Sequence, residues 1–314
     1  MKFKNLIIIS CLLSLIILSG CSNQSNEPPK KGKGTRNNTP IILKPQADGE
    51  TTIGNNKITF DLSHSTDGYV MVKYTGNNPK VKVMILTPTG DYPYTYNVHK
   101  GYNVYPLTGG DGSYNFSAYE NISGSDYSQL FNEFQEIVID DEYKPFLYPN
   151  QYVHFDKNSK IVKMGEELAK SADTDLDVVS YIYDYVIHNV TYDDHKAEKI
   201  KQGELTDYLP NVDEILEKKT GICFDFAAIM TAMLRTQNIP TRMTTGYVTV
   251  DGNTIYHAWL SVYIKNIGWI DDIIQFDGKN WSMMDPTFIA DGQNSSTARD
   301  FVKDKNNYME KFLY

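Results

Sequence analysis

The chain has 314 residues, enough for one large or two ordinary domains. Its 30 Lys and Arg against 39 Asp and Glu leave a formal charge of -9, and no basic cluster survives beyond the first few dozen residues, which argues against nucleic acid as a partner. Tyrosine is abundant at 23, and many of these residues sit in alternating stretches that suit half-buried strands.

At the N-terminus, Lys2 and Lys4 precede an apolar run over residues 6–18, followed by Leu18-Ser19-Gly20-Cys21. A basic start, a short apolar segment and small residues ahead of a cleavage point describe a secretory signal. The run is short for a membrane span of about 20 residues, although an uncleaved anchor is the competing reading. The Leu-Ser-Gly-Cys ending resembles the lipobox of bacterial lipoproteins. That resemblance implies that residues 1–20 are a signal peptide, that Cys21 is lipidated, and that the domain is tethered to the extracellular face of the cell membrane.

The cysteine count then simplifies. Cys11 lies in the discarded signal and Cys21 carries lipid, so Cys223 is the thiol left in the folded part. A disulfide within the fold and a zinc site built on several cysteines are both excluded. In an exported protein a lone cysteine is open to oxidation and cross-linking, so its retention points to chemistry. A buried inert cysteine is the alternative.

Residues 21–45 hold Asn, Pro, Lys, Gly and Ser with almost no large apolar residue before Ile41, and are expected to form a flexible linker. From 46 to 140 the pattern is β. Apolar and polar residues alternate over 57–62, 69–74 and 81–86, and further strands are expected at 94–98, 112–119 and 134–139. Gly-Asn, Gly-Asp and Gly-Gly clusters separate them. Six or seven short strands at regular spacing predict a small antiparallel β-sandwich. His64 and His99 sit among turn-like polar residues and read as surface histidines.

Residues 141–314 form the second domain. Helices are predicted over 160–171 and 175–190, the latter opened by a capping box of Thr174 and Asp177 and ended by a structural His188. Residues 189–209 read as a long polar surface loop, and 212–218 as a short helix. Gly221 then turns the chain into a helix starting at or just before Cys223 and running to about Gln237, where Asn238 and Pro240 stop it. Phe226, Ile229, Met230, Met233 and Leu234 fall at helical spacing, so this helix is buried and its first turn carries the thiol. Unpaired N–H groups and the dipole at a helix start favour a thiolate. Strands follow at 242–250 and 255–264, joined by a hairpin turn at Asp251-Gly252. Alternation divides the second strand into a face with Tyr256, Ala258, Leu260, Val262 and Ile264 and a face with Ile255, His257, Trp259 and Ser261. Another strand ends at Asp285-Pro286, and residues 297–312 are expected to close the fold as a helix.

Acyl transfer by a thiol needs a thiolate, an imidazole within hydrogen-bond reach, and a group fixing the imidazole tautomer. Cys223, His257 and Asp285 supply these in order, with Asp271 and Asp272 as rival third members. Spacing alone is weak, but the local contexts are specific. Gly-Ile-Cys at 221–223 with Arg235, Ile239-Pro240 and Arg242, the His-Ala-Trp run at 257–259, and Trp281 with Asp285-Pro286-Thr287 together resemble the transglutaminase-like superfamily over residues 146–291. The resemblance implies an α+β, papain-like transglutaminase core in which a helix bearing the cysteine packs on an antiparallel sheet. It casts Cys223 as nucleophile, His257 as general base and later acid, and Asp285 as the orienting carboxylate. The Cys223 backbone N–H is the natural first oxyanion donor, with Gln151 a candidate second. Trp259 and Trp281 read as core or cleft wall.

No cofactor or metal is called for. The expected activity is attack on an amide carbonyl to give a thioester. Hydrolysis then makes a cysteine protease or amidase, and aminolysis makes a transglutaminase. The substrate would be a protein or peptide, cell-wall peptide included. An inactive cell-envelope binding or scaffolding lipoprotein is the alternative.

Overall fold

The computed structural model describes residues 29–205, 207–250, 253–270, 274–276, 281–283 and 308–314. The expected signal peptide over residues 1–20 and Cys21 lie outside the described residues.

The first domain contains eight strands: β1 (Thr52–Gly54), β2 (Ile58–Asp61), β3 (Tyr69–Tyr74), β4 (Val81–Leu86), β5 (Tyr94–Asn97), β6 (Tyr102–Pro106), β7 (Gly112–Ser123) and β8 (Asp126–Ile137). They form two four-stranded antiparallel sheets, ordered β1-β2-β3-β6 and β5-β4-β7-β8. The period of two decides the faces. In β4, Val81, Val83 and Ile85 are buried while Lys82, Met84 and Leu86 are not. The inner faces meet where Phe60 packs on Phe116, ring centroids 5.7 Å apart, and Tyr96 stacks on Tyr105 at 4.3 Å. Each such fully buried aromatic contributes about 1.5–3 kcal/mol to the fold.

Two features differ from the sequence expectation. Strands β1 and β6 were not foreseen, being short and flanked by turn residues. Strand β8 starts eight residues before the expected 134, because its outer half is half-exposed on both faces and shows little alternation.

Residues 30–41, expected within a flexible linker, instead run extended along the second domain. Gly34, Arg36 and Ile41 donate backbone hydrogen bonds to Ser171, Ala172 and Thr236. Asp173 accepts from the Lys33 and Thr35 backbones, and Arg36 pairs with Asp175 at 2.6 Å. The low apolar content that suggests disorder is offset here by polar pairing.

The second domain is built around one helix. Helices α1 (Lys160–Ala169) and α2 (Asp175–Asn189) lead into β9 (Thr191–Tyr192), α3 (Asp194–Lys201), α4 (Val212–Lys218) and β10 (Thr220–Gly221). The Thr174–Asp177 capping box of α2 is present in both directions. Helix α5 (Cys223–Thr236) follows, buried at every position from Asp225 onward. Helices α1, α2 and α4 pack on one side of it and strands β11 (Thr241–Val250) and β12 (Asn253–Ile264) on the other. The sheet is antiparallel, ordered β13-β12-β11-β16, with β13 at Gly268–Ile270 and β16 at Tyr308–Leu313. A two-stranded ribbon pairs β14 (Ile274–Phe276) with β15 (Trp281–Met283).

Two sequence expectations are corrected here. The expected polar loop 189–209 contains β9 and α3. Helix α3 buries no residue, so hydrophobic periodicity could not reveal it, and Asp193 caps it by accepting from Lys196 N. The expected closing helix at 297–312 is a strand over its described part, because β11 offers a free edge to which Tyr308–Leu313 pairs. An apolar spacing of four fits one face of a strand as well as one face of a helix.

The two domains share a buried aromatic cluster. Tyr94 of β5 packs on Phe312 at 4.9 Å, and Tyr152 packs on Tyr314 at 4.3 Å and on Phe224 of α5 at 5.5 Å. Sandwich residues thereby reach the helix that carries Cys223. Among the described residues, no helix is long and apolar enough to cross a membrane.

Candidate active site

Helix α5 begins where β10 hands over to it. Lys219 takes a left-handed conformation (φ 53°) to end α4. Thr220 and Gly221 then pair in parallel with Thr191 and Tyr192 of β9. A Cβ on Gly221 would stand 2.6 Å from the Asp225 Cβ, so only glycine lets the chain turn this tightly into the helix. Cys223 is therefore the first helical residue, and its thiol is half-buried.

Burial pushes the Cys223 thiol up, and the backbone N–H groups of Ala258 and Phe224, turned toward the sulfur, oppose that shift. Ala258 follows His257 in β12, so the thiol lies against the strand segment that carries the expected imidazole. His257 is itself 5% exposed, and burial pulls its imidazole down to about 4. Its ring stacks near Trp259, two positions along the same face, at a centroid distance of 6.4 Å. Trp259 is fully buried, as expected for a core or cleft wall. Burial favours the neutral form of both groups, the thiol and the imidazole.

Beneath the thiol sits a buried polar group that sequence reasoning did not single out. Asp225 is fully buried at the third helical position, and its carboxylate accepts from Ile222 N at 2.9 Å. Ile222 occupies the N-cap and has no side-chain acceptor, so the carboxylate supplies the capping that this helix start otherwise lacks. Tyr208 donates its hydroxyl to Asp225 Oδ1 at 2.5 Å, and Lys196 of α3 reaches Oδ2 at 2.6 Å. The Lys196 ammonium also sits 3.9 Å from the centre of the Tyr208 ring. The cap pattern Asp193–Lys196 was the one sequence signal that could have exposed α3 and its lysine.

At the other end of α5, Arg235 is fully buried, and among the described residues its partners are backbone oxygens. Its guanidinium donates to the backbone oxygens of Thr241 at 2.8 Å, Tyr148 at 2.6 Å and Tyr314 at 2.5 Å. Burial pulls it down to about 9. Arg242, by contrast, lies flat on Trp269, 3.7 Å from its centre.

Gln151 lines a cleft of about 120 Å³ with Tyr152, Asp207, Tyr208 and Leu209 on one side and Lys82, Thr95 and Asn97 of the sandwich on the other. Its carboxamide lies against the Tyr152 hydroxyl, and both Tyr152 and Tyr208 face Phe224, so the cleft adjoins the first turn of α5. Asp285 and its rivals Asp271 and Asp272 lie outside the described residues. Among the described residues no group of three His, Cys, Asp or Glu side chains converges to hold a metal ion.

Residues 162–271 match the family model described as the transglutaminase-like superfamily, a stretch that runs from within α1 through α5 and takes in Cys223 and His257. Over that stretch the chain is similar to that superfamily. A relative of Bacillus subtilis (strain 168), the uncharacterised protein YebA, is 26% identical over 157 residues, 44% of this chain and 21% of the relative, so the match spans about a fifth of that protein.

Two solved structures show a looser likeness. A candidate cysteine protease from Cytophaga hutchinsonii covers 84% of this chain and 73% of its own at 15% identity, with a TM-score of 0.37. Red sea bream transglutaminase covers 70% of this chain and 48% of its own at 13% identity, with a TM-score of 0.28. Overlaps of this size carry no part of the assignment, which rests on the match at 162–271. The transglutaminase-like core is a thiol-enzyme fold.

Proposed function

We propose that the protein is a thiol enzyme that cleaves or transfers amide bonds, with Cys223 as nucleophile, His257 as base and acid, and Asp285 as the carboxylate orienting the imidazole. The observation that carries this reading is the seat of the Cys223 thiol. It stands on the first turn of α5, with the N–H of Ala258 turned to it from the strand that bears His257. In the first step, the sulfur bonds to the amide carbonyl carbon as its proton passes to the imidazole. The imidazolium then protonates the leaving amine as the C–N bond breaks, leaving a thioester. Water or a second amine attacks next, giving its proton to His257, and the C–S bond breaks to return the thiol. The developing oxyanion would meet the Cys223 N–H at the helix start, with Gln151 as the second donor after a swing away from Tyr152.

The proposal includes location. Cys21 would carry lipid and hold the domain at the extracellular face of the membrane, where proteins and cell-wall peptides are the accessible amides.

Hydrolysis is favoured slightly over cross-linking. The test is to incubate the lipid-free chain with a glutamine-rich protein and a labelled primary amine. New N-termini without amine incorporation support hydrolysis, and amine incorporation supports transfer. Neither product, from a chain whose Cys223 is intact, would overturn the enzymatic reading. One observation favours the inactive scaffold as a second reading: burial keeps Cys223 protonated unless His257 takes its proton.

A further inference from the structure

Among the described residues, the carboxylate that bears on the Cys223 thiol belongs to the same helix. Asp225 lies two residues after Cys223, fully buried, and its charge opposes a thiolate at that distance. A buried carboxylate is tolerated only when it is paired and hydrogen-bonded. Here the Ile222 N–H, the Tyr208 hydroxyl and the Lys196 ammonium complete the set. Lys196 is the one cation among them, and its side chain is only 20% exposed. It comes from α3, a helix that buries no apolar residue of its own.

We propose that Lys196 is a positioning residue. It cancels the charge of Asp225 beside Cys223 and, through Asp225, holds the Ile222–Cys223 helix start in place. This rests on the reading of Cys223 as nucleophile. Other titratable groups surround the pair. Tyr192 of β9 faces both Cys223 and Asp225, and Asp193, which caps α3, and Glu214 of α4 both act on Tyr208. These neighbours are acids or neutral phenols, so none of them can take over the role of the lysine. Removing Lys196 therefore leaves the carboxylate hydrogen-bonded but its charge uncancelled beside the sulfur, while removing both charges restores the balance.

The experiment follows the rate of Cys223 alkylation by iodoacetamide against pH, using the lipid-free full chain and its variants. In K196M the midpoint of the acid limb moves up by about one pH unit. In D225N it moves down, since the lysine is then the uncompensated charge. The K196M/D225N double variant returns toward the wild-type midpoint, and K196R keeps it. A lysine that merely braces the fold would slow alkylation without moving the midpoint, and a folding defect could not move two single variants in opposite directions. An unchanged midpoint in K196M, or a double variant displaced as far as the single, overturns the proposal. A wild-type chain whose alkylation ignores His257→Ala would instead sink the reading of Cys223 as nucleophile, so the two failures are distinguishable.

Discussion

Gly246 of β11 stands directly opposite His257 of β12 in the antiparallel register. A Cβ at Gly246 would lie 2.1 Å from the Met309 backbone oxygen of β16, on the other flank of β11. The residue facing the imidazole is thus held small by the strand behind it, at the point where the β11–β16 ladder shifts register.

Gly246→Val should therefore act on β16 first. The strand must move away or the sheet must bend, at a cost of about 1–3 kcal/mol, the range for overpacking. Faster amide exchange over 309–314, with β13 unaffected, is the expected signature. Uniform loss of protection across the whole sheet would contradict this account.

Arg235→Met removes the guanidinium donors from the Thr241, Tyr148 and Tyr314 oxygens, of which Tyr314 O keeps the Met243 N–H at 2.9 Å. Each buried acceptor left unpaired costs about 1–3 kcal/mol. The urea midpoint should fall accordingly, and Arg235→Lys should recover only part of the loss because an ammonium lacks the planar fork. Equal stability of Lys and Arg at this position would mean that charge, not the fork, is what matters.

Much of this was legible in the sequence, for physical reasons. Helix α5 buries nearly all of its faces, so its apolar positions declared it. Strands β3 and β4 match the expected 69–74 and 81–86; β4 alternates a buried and a wetter face, whereas β3 is buried on both faces over Tyr69–Val72. The lost elements lack that contrast. Helix α3 is polar all round and held by a cap and by Lys196. Strand β16 is defined by the empty edge of β11, a partner remote in sequence. Cys223 and His257 stand out as candidates through their local motifs, and the structure places Cys223 against the strand that bears His257. Asp225 and Lys196 were missed because a buried ion pair leaves no pattern in either segment alone. Asp285 rests on its motif.

The aromatic cluster that joins Tyr94, Tyr152, Phe224, Phe312 and Tyr314 makes the sandwich and the core a single cooperative unit in this account. Tyr152→Ala, an aromatic truncation costing about 3–5 kcal/mol, should lower one calorimetric transition as a whole. Two separate transitions, with the sandwich melting at its original temperature, would show that the domains fold independently.

Acid should destabilise the fold through His257. Its folded value of about 4 lies below the ordinary 6.5, so the unfolded chain binds the extra proton between those values. Stability is full above pH 6.5 and falls toward pH 4, by about 3 kcal/mol from this residue at about 1.4 kcal/mol per unit. Between pH 7 and pH 4 the urea midpoint of the wild type should therefore fall relative to that of His257→Gln, which lacks this titration. Parallel curves would show that the imidazole titrates alike in the folded and unfolded chains.

The most direct test of the central claim is the rate at which Cys223 reacts with iodoacetamide at pH 6, with and without His257. A free thiol with a pKa near 8.5 is almost wholly protonated there. If the imidazole takes the proton, the wild-type chain reacts well ahead of free cysteine, and His257→Ala slows it by about 100-fold, the lower bound for a positioned base. A thiol that reacts no faster than free cysteine, at a rate indifferent to His257, would contradict the account.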